Sequence, residues 1–104
     1  MDMAKGYWIA RVDVYDLEGY KAYVALNGKA FKKYGGRFLV RGGKLEIKEG
    51  MARSRNVVIE FPSYQAALDC FHSKEYQKAF VKRLAPVSSA DLIIIEGYDG
   101  PQPG

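Results

Sequence analysis

Four segments of this chain change polarity at every residue or read as short apolar runs. Two longer stretches between them repeat their apolar residues every three or four positions, and only an α+β fold accommodates that succession of periods. The first segment, Gly6 to Val14 (GYWIARVDV), places Trp8, Ala10, Val12 and Val14 on one side and Tyr7, Ile9, Arg11 and Asp13 on the other. Asp16 then suits a helix N-cap, Glu18 the first turn, and Leu17, Tyr20, Val24, Phe31 and Tyr34 recur at helical spacing until Gly35-Gly36 stops them. Arg37 to Arg41 (RFLVR) alternates again, with Phe38 and Val40 opposite Arg37, Leu39 and Arg41. Lys44 to Gly50 alternates too weakly for a buried strand and reads as a short exposed hairpin arm or edge. Asn56 to Phe61 is a third strand, closed by Pro62. Ser63 caps a helix from Tyr64 to about His72, Ser73 caps a continuation through Leu84, and Asp91 to Tyr98 is the fourth strand.

The resulting order, βαββαβ, predicts a ferredoxin-like α+β arrangement in which right-handed crossovers lay both helices on one face of a four-stranded antiparallel sheet. The other face is left bare. Alternation assigns to it Tyr7, Ile9, Arg11, Asp13, Arg37, Leu39, Arg41, Val58, Glu60, Leu92, Ile94, Glu96 and Tyr98, a set too apolar for water and too charged for a dry core. Such a face asks for a partner.

With 104 residues the chain has room for one domain, expected over residues 1–98 with a loose tail at 99–104. At 48% hydrophobic and 27% charged residues it is neither disordered nor membrane-spanning. The first residues lead into a strand without an apolar leader, so the expected location is the cytoplasm. A lone cysteine, Cys70, excludes a disulfide framework and a multi-cysteine zinc site. The net charge of +4 is unevenly spread, since the stretch from Lys21 to Arg55 holds ten basic residues against two acidic ones. That split marks either a solvated basic surface or an anion-binding face.

The strongest candidate for such a face is Arg37 with Arg41, four apart on a strand, and Arg11 on a neighbouring one. Converging guanidinium groups suit a carboxylate or phosphate, and pairing with Asp13, Glu60 and Glu96 is the competing use of the same charges. Glu60 and Glu96 would form an acid/base pair only if a closed cavity kept the arginines away. His72 is the only histidine and is a candidate base; Cys70, two residues earlier, points elsewhere on a helix. The diglycines lack phosphate-loop spacing, and no cofactor or metal is expected. RNA-recognition domains share the element order, but the third strand offers Val58 and Glu60 where they need stacking aromatics, so nucleic acid is an unlikely partner.

Several blocks together resemble one family. They are Asp16 with Tyr20 and Tyr23, Tyr34-Gly35-Gly36-Arg37 with Gly42-Gly43, Glu49-Gly50, Ile59-Glu60-Phe61-Pro62-Ser63, and Ser73-Lys74-Glu75-Tyr76 followed by Arg83. On these the chain resembles the domain of unknown function 1330 family, in the dimeric α+β barrel superfamily. Lys74 stands where the family pattern has proline. The resemblance implies that two subunits pack their bare sheet faces into a barrel, and it implies no established activity. The expectation is a homodimer that binds a small organic anion in a cavity lined by Arg11, Arg37, Arg41, Glu60 and His72. A ligand-free interaction module and a cofactor-free enzyme of the superfamily are the alternatives.

Overall fold

The computed structural model describes residues 4–104. Its elements run β1 (Gly6–Val14), α1 (Leu17–Lys33), β2 (Arg37–Arg41), β3 (Arg55–Phe61), α2 (Tyr64–His72), α3 (Lys74–Arg83) and β4 (Ser88–Glu96). The strands form one antiparallel sheet in the order β2-β3-β1-β4, with the helices on one side. This is the expected α+β layout.

Local chemistry sets the helix limits. The Asp16 carboxylate accepts from the Gly19 N–H at 3.1 Å, and the hydroxyls of Ser63 and Ser73 accept from Ala66 and Tyr76 at 3.0 and 3.1 Å. Helix α1 ends where Gly35 turns to φ +76° and Gly36 donates to the Phe31 carbonyl at 2.7 Å. Gly6 is required where β1 meets the start of α2, because a Cβ there would collide with the Ser63 carbonyl.

Between the layers sits an aromatic core centred on Trp8. Its ring meets Phe31, Phe61, Phe71 and Tyr76 at centroid distances of 4.8 to 5.9 Å, and its indole N–H donates to the Ala67 carbonyl at 2.9 Å. One side chain thereby joins both layers.

Two expectations about the strands are corrected. Strand β4 begins at Ser88 rather than Asp91, ends at Glu96, and carries the opposite phase. Its run Leu92-Ile93-Ile94-Ile95 has no alternation of its own, so pairing with β1 decides: Ile94 lies opposite Trp8 and Leu92 opposite Ala10, both toward the helices. Asp91, Ile93 and Ile95 therefore hold the bare face. Strand β2 contains a bulge between Phe38 and Val40, which advances the phase by one residue. Arg37 stays opposite Glu60 on the bare face, but Arg41 lies opposite Val57 on the helix side. Lys44 to Gly50 forms an exposed arm with no strand partner, since the β2–β3 ladder closes with the Gly42 N–H on the Asn56 carbonyl at 2.9 Å.

Candidate functional site

On the bare face, an apolar band of Val40, Val58, Ile9 and Ile93 crosses all four strands, with charge at either end. At one end Glu60 accepts from the Tyr7 hydroxyl at 2.9 Å and sits 3.9 Å from Arg37. The carboxylate holds the Tyr7 phenol above its ordinary pKa. At the other end Arg53 pairs with Asp13 and Asp91, both at 2.8 Å, and Arg11 lies 3.8 Å from Asp91. Hydrogen bonding from Arg53 lowers the Asp91 pKa. Arg11 faces Asn56 and Arg37 faces Glu60, four residues further along β3, so the two arginines stand about 13 Å apart along the strand. The expected cluster of Arg11, Arg37 and Arg41 is thus dispersed, with Arg41 behind the sheet and the other two already beside carboxylates. Sequence reading counted Arg53 only as a charge, yet it ties the end of the arm to β1 and β4.

His72 goes elsewhere. Helix α3 packs along α1 and leaves the helix-facing side of β4 only partly covered, by α2, opening a cavity of about 460 Å³. Phe71, Phe80, Leu84, Leu92 and Ile94 supply apolar walls, His72 stands at the rim, and Arg83 with Ser88 supplies the polar end. Arg83 is only 8% exposed. Its Nε and Nη2 donate to the Tyr76 hydroxyl at 3.4 and 3.3 Å, and that hydroxyl is 3.0 Å from the Tyr23 hydroxyl. The guanidinium also lies over the rings of Phe80 at 4.8 Å and Tyr23 at 5.5 Å. Among the described residues no carboxylate comes within 4.0 Å of it. Burial opposes its charge, but the oxygens of Tyr76 and Tyr23 outweigh that and keep its pKa above the ordinary value. The group stays cationic. Burial raises the Tyr23 phenol, so that hydroxyl remains protonated.

The phenol oxygens hold the buried cation in place but bring no formal negative charge, which leaves the guanidinium without a counterion. Arg83 was not singled out as a binding residue from the sequence. The available signal was its position three residues after Phe80 and seven after Tyr76, on the inward stripe of α3 where a charge is out of place.

Cys70 takes no part in the cavity. It is fully buried, and burial, with a smaller push from Glu75, raises its thiol pKa to about 12. The thiolate is the reactive form, so the folded protein should resist 5,5′-dithiobis(2-nitrobenzoate) at pH 8 and release one equivalent of chromophore per chain in guanidinium. Prompt labelling of the native chain would contradict the burial. Among the described residues no group of three or more His, Cys, Asp and Glu side chains is placed to hold a metal, and no helix is long and apolar enough to cross a membrane.

A single antiparallel sheet of order β2-β3-β1-β4 layered under crossover helices, with a cavity between the two layers, defines a fold of the α+β barrel class. The chain belongs to the family described as Domain of unknown function (DUF1330), whose model matches residues 5–98. Among solved structures it is similar to RPA0582, a protein of unknown function from Rhodopseudomonas palustris, with 21% identity, 93% of this chain and 85% of that chain covered, and a TM-score of 0.73. It is also similar to SnoaB, a cofactor-independent oxygenase from Streptomyces nogalater, with 12% identity, coverage of 93% and 96%, and a TM-score of 0.61. A conserved protein of unknown function from Bacteroides thetaiotaomicron aligns at 12% identity over 89% of this chain and 97% of that chain, with a TM-score of 0.55. At these identities the likeness is one of fold. No curated protein matches the chain.

Proposed function

We propose that this protein is a homodimer whose subunits each bind a small organic anion with an apolar body in the cavity beside β4. The buried, carboxylate-free Arg83 guanidinium carries that reading. It keeps the anion-binding expectation but moves it from Arg11, Arg37, Arg41 and Glu60 to the cavity where only His72 of the expected set lies. A volume of about 460 Å³ falls within the ~300–1,000 Å³ usual for small-molecule sites, and its mostly apolar walls favour a ring or branched chain over a sugar. The anionic head would meet the Arg83 guanidinium, the Ser88 hydroxyl being donated to the Arg83 carbonyl.

Dimerisation rests on the bare sheet face. The chain exposes 7242 Å² of surface, against about 5,900 Å² for a compact chain of its mass, and its extents of 43 × 37 × 17 Å are those of a slab two layers thick. Pairing two bare faces about a twofold axis would bury the apolar band and enclose both ionic ends. The cofactor-free enzyme reading draws support from the His72 imidazole, a proton-carrying group at the cavity rim. SnoaB, a cofactor-independent oxygenase, lends it analogy only.

Thermal denaturation with benzoate and 1-naphthoate as probes, and benzyl alcohol as a neutral control, tests the site. At ten times Kd a ligand stabilises by about 1.4 kcal/mol, a rise of roughly 6–11 °C for a chain of this size. The carboxylates should produce that rise in the wild type and none in Arg83→Met. The variant should still fold, because an apolar side chain of similar length keeps the packing against Phe80 while giving up the charge and the bonds to Tyr76. An equal rise in the variant would remove Arg83 from the site.

A further inference from the structure

The geometry points to a second anion site, suited to a small phosphate monoester, in a groove of about 360 Å³ between the start of α1 and the ends of β2 and β3. Leu17, Tyr20, Lys21, Val24, Arg41 and Arg55 line it. The bulge in β2 creates the site: it turns Arg41 to the helix side, opposite Val57, and Arg55 lies two residues before Val57 on the same side. Such diagonal neighbours lie ~7–8 Å apart, within reach of two long side chains. Two like charges therefore stand together at the sheet margin.

Aromatic faces fix both guanidinium groups. Arg41 lies 4.3 Å above the Phe38 ring and Arg55 5.6 Å from the Tyr20 centroid. The Arg55 Nε is buried with no hydrogen-bond partner, so one donor of a charged group is left unused. Among the described residues no carboxylate lies within 4.0 Å of either arginine; the acid near the groove, Glu18, is 3.2 Å from Lys21. A monocarboxylate would compensate one guanidinium and leave the other. A phosphate monoester carries close to two charges and three acceptor oxygens, which match two forked donors, and Lys21 can exchange Glu18 for it. Leu17, Val24 and Tyr20 offer the organic substituent an apolar wall.

This site is separate from the Arg83 cavity and does not depend on it. Tyr20 and Tyr23, with ring centroids 5.3 Å apart, stand between Arg55 and Arg83, and the space there is about 30 Å³, too small for an organic molecule to pass.

Calorimetric titration of the intact protein at constant ionic strength, with phenyl phosphate and inorganic phosphate as probes, tests the proposal. Phenyl phosphate should bind saturably and more tightly than inorganic phosphate. Arg41→Gln, at an exposed position that folding does not need, should weaken it about tenfold, and Arg41→Gln with Arg55→Gln about a hundredfold. Arg83→Met should leave the affinity unchanged while abolishing the benzoate response, so the two sites fail separately. Unaltered affinity in Arg41→Gln, or the absence of saturable binding at millimolar phenyl phosphate, overturns the assignment.

Discussion

Ile93→Lys is expected to convert the proposed dimer to a monomer in sedimentation velocity at micromolar concentration, while Val81→Lys, on the outer side of α3, leaves association unchanged. Ile93 is 54% exposed in the single subunit and Val81 60%, so a lysine at either place costs the isolated fold little. Their surroundings differ. Ile93 sits opposite Ile9 in the apolar band, and a dimer closed over that band would bury one unpaired ammonium from each subunit. At roughly 3–5 kcal/mol for a buried charge without a partner, the dimer constant should weaken by a factor on the order of a thousand or more. Higher salt should not restore it, because desolvation rather than long-range repulsion is responsible. A dimer that survives Ile93→Lys would place the contact elsewhere and leave the bare face without its proposed cover.

Residues whose own period fixed their environment were the legible ones. GYWIARVDV alternates without interruption, so Trp8 and Val12 are buried as expected while Ile9 and Arg11 face outward. The caps Asp16, Ser63 and Ser73 are legible because each satisfies a helix terminus through its own side chain. Phase was lost where the local signal is degenerate. Four consecutive apolar residues in β4 read equally well in either register, and only the rings of β1 and the helices choose between them. In β2 a bulge has no signature in RFLVR, and one extra residue moved Arg41 to the opposite side of the sheet from Arg37. That slip dispersed the expected arginine cluster and assembled another, with Arg55. Arg83 was hidden for a different reason. A cation at a helix C-terminus is the ordinary complement of the dipole, and that role masks its place on the inward stripe of α3, which the gap between α3 and β4 makes plain.

The same core that made the fold legible carries its largest single contribution to stability. Trp8→Ala is expected to destabilise the protein by about 3–5 kcal/mol, a large share of the roughly 5–15 kcal/mol that holds a domain folded. Trp8 is 2% exposed, and its ring is the common neighbour of Phe31 on α1, Phe61 at the end of β3, Phe71 on α2 and Tyr76 on α3. Alanine would leave a void that four rings from four elements cannot all close at once. Trp8→Phe separates the contributions: it keeps an aromatic wedge but loses the bond to the Ala67 carbonyl and part of the volume, and should cost about half as much. Urea unfolding must be followed by circular dichroism, since Trp8 is the only tryptophan, and at equal protein concentration, since association adds to apparent stability. Tyr76 packs on Trp8 and accepts from Arg83, so the phenylalanine variant should also weaken carboxylate binding in the cavity. A Trp8→Ala chain within 1 kcal/mol of the wild type would mean that the layers are held together elsewhere.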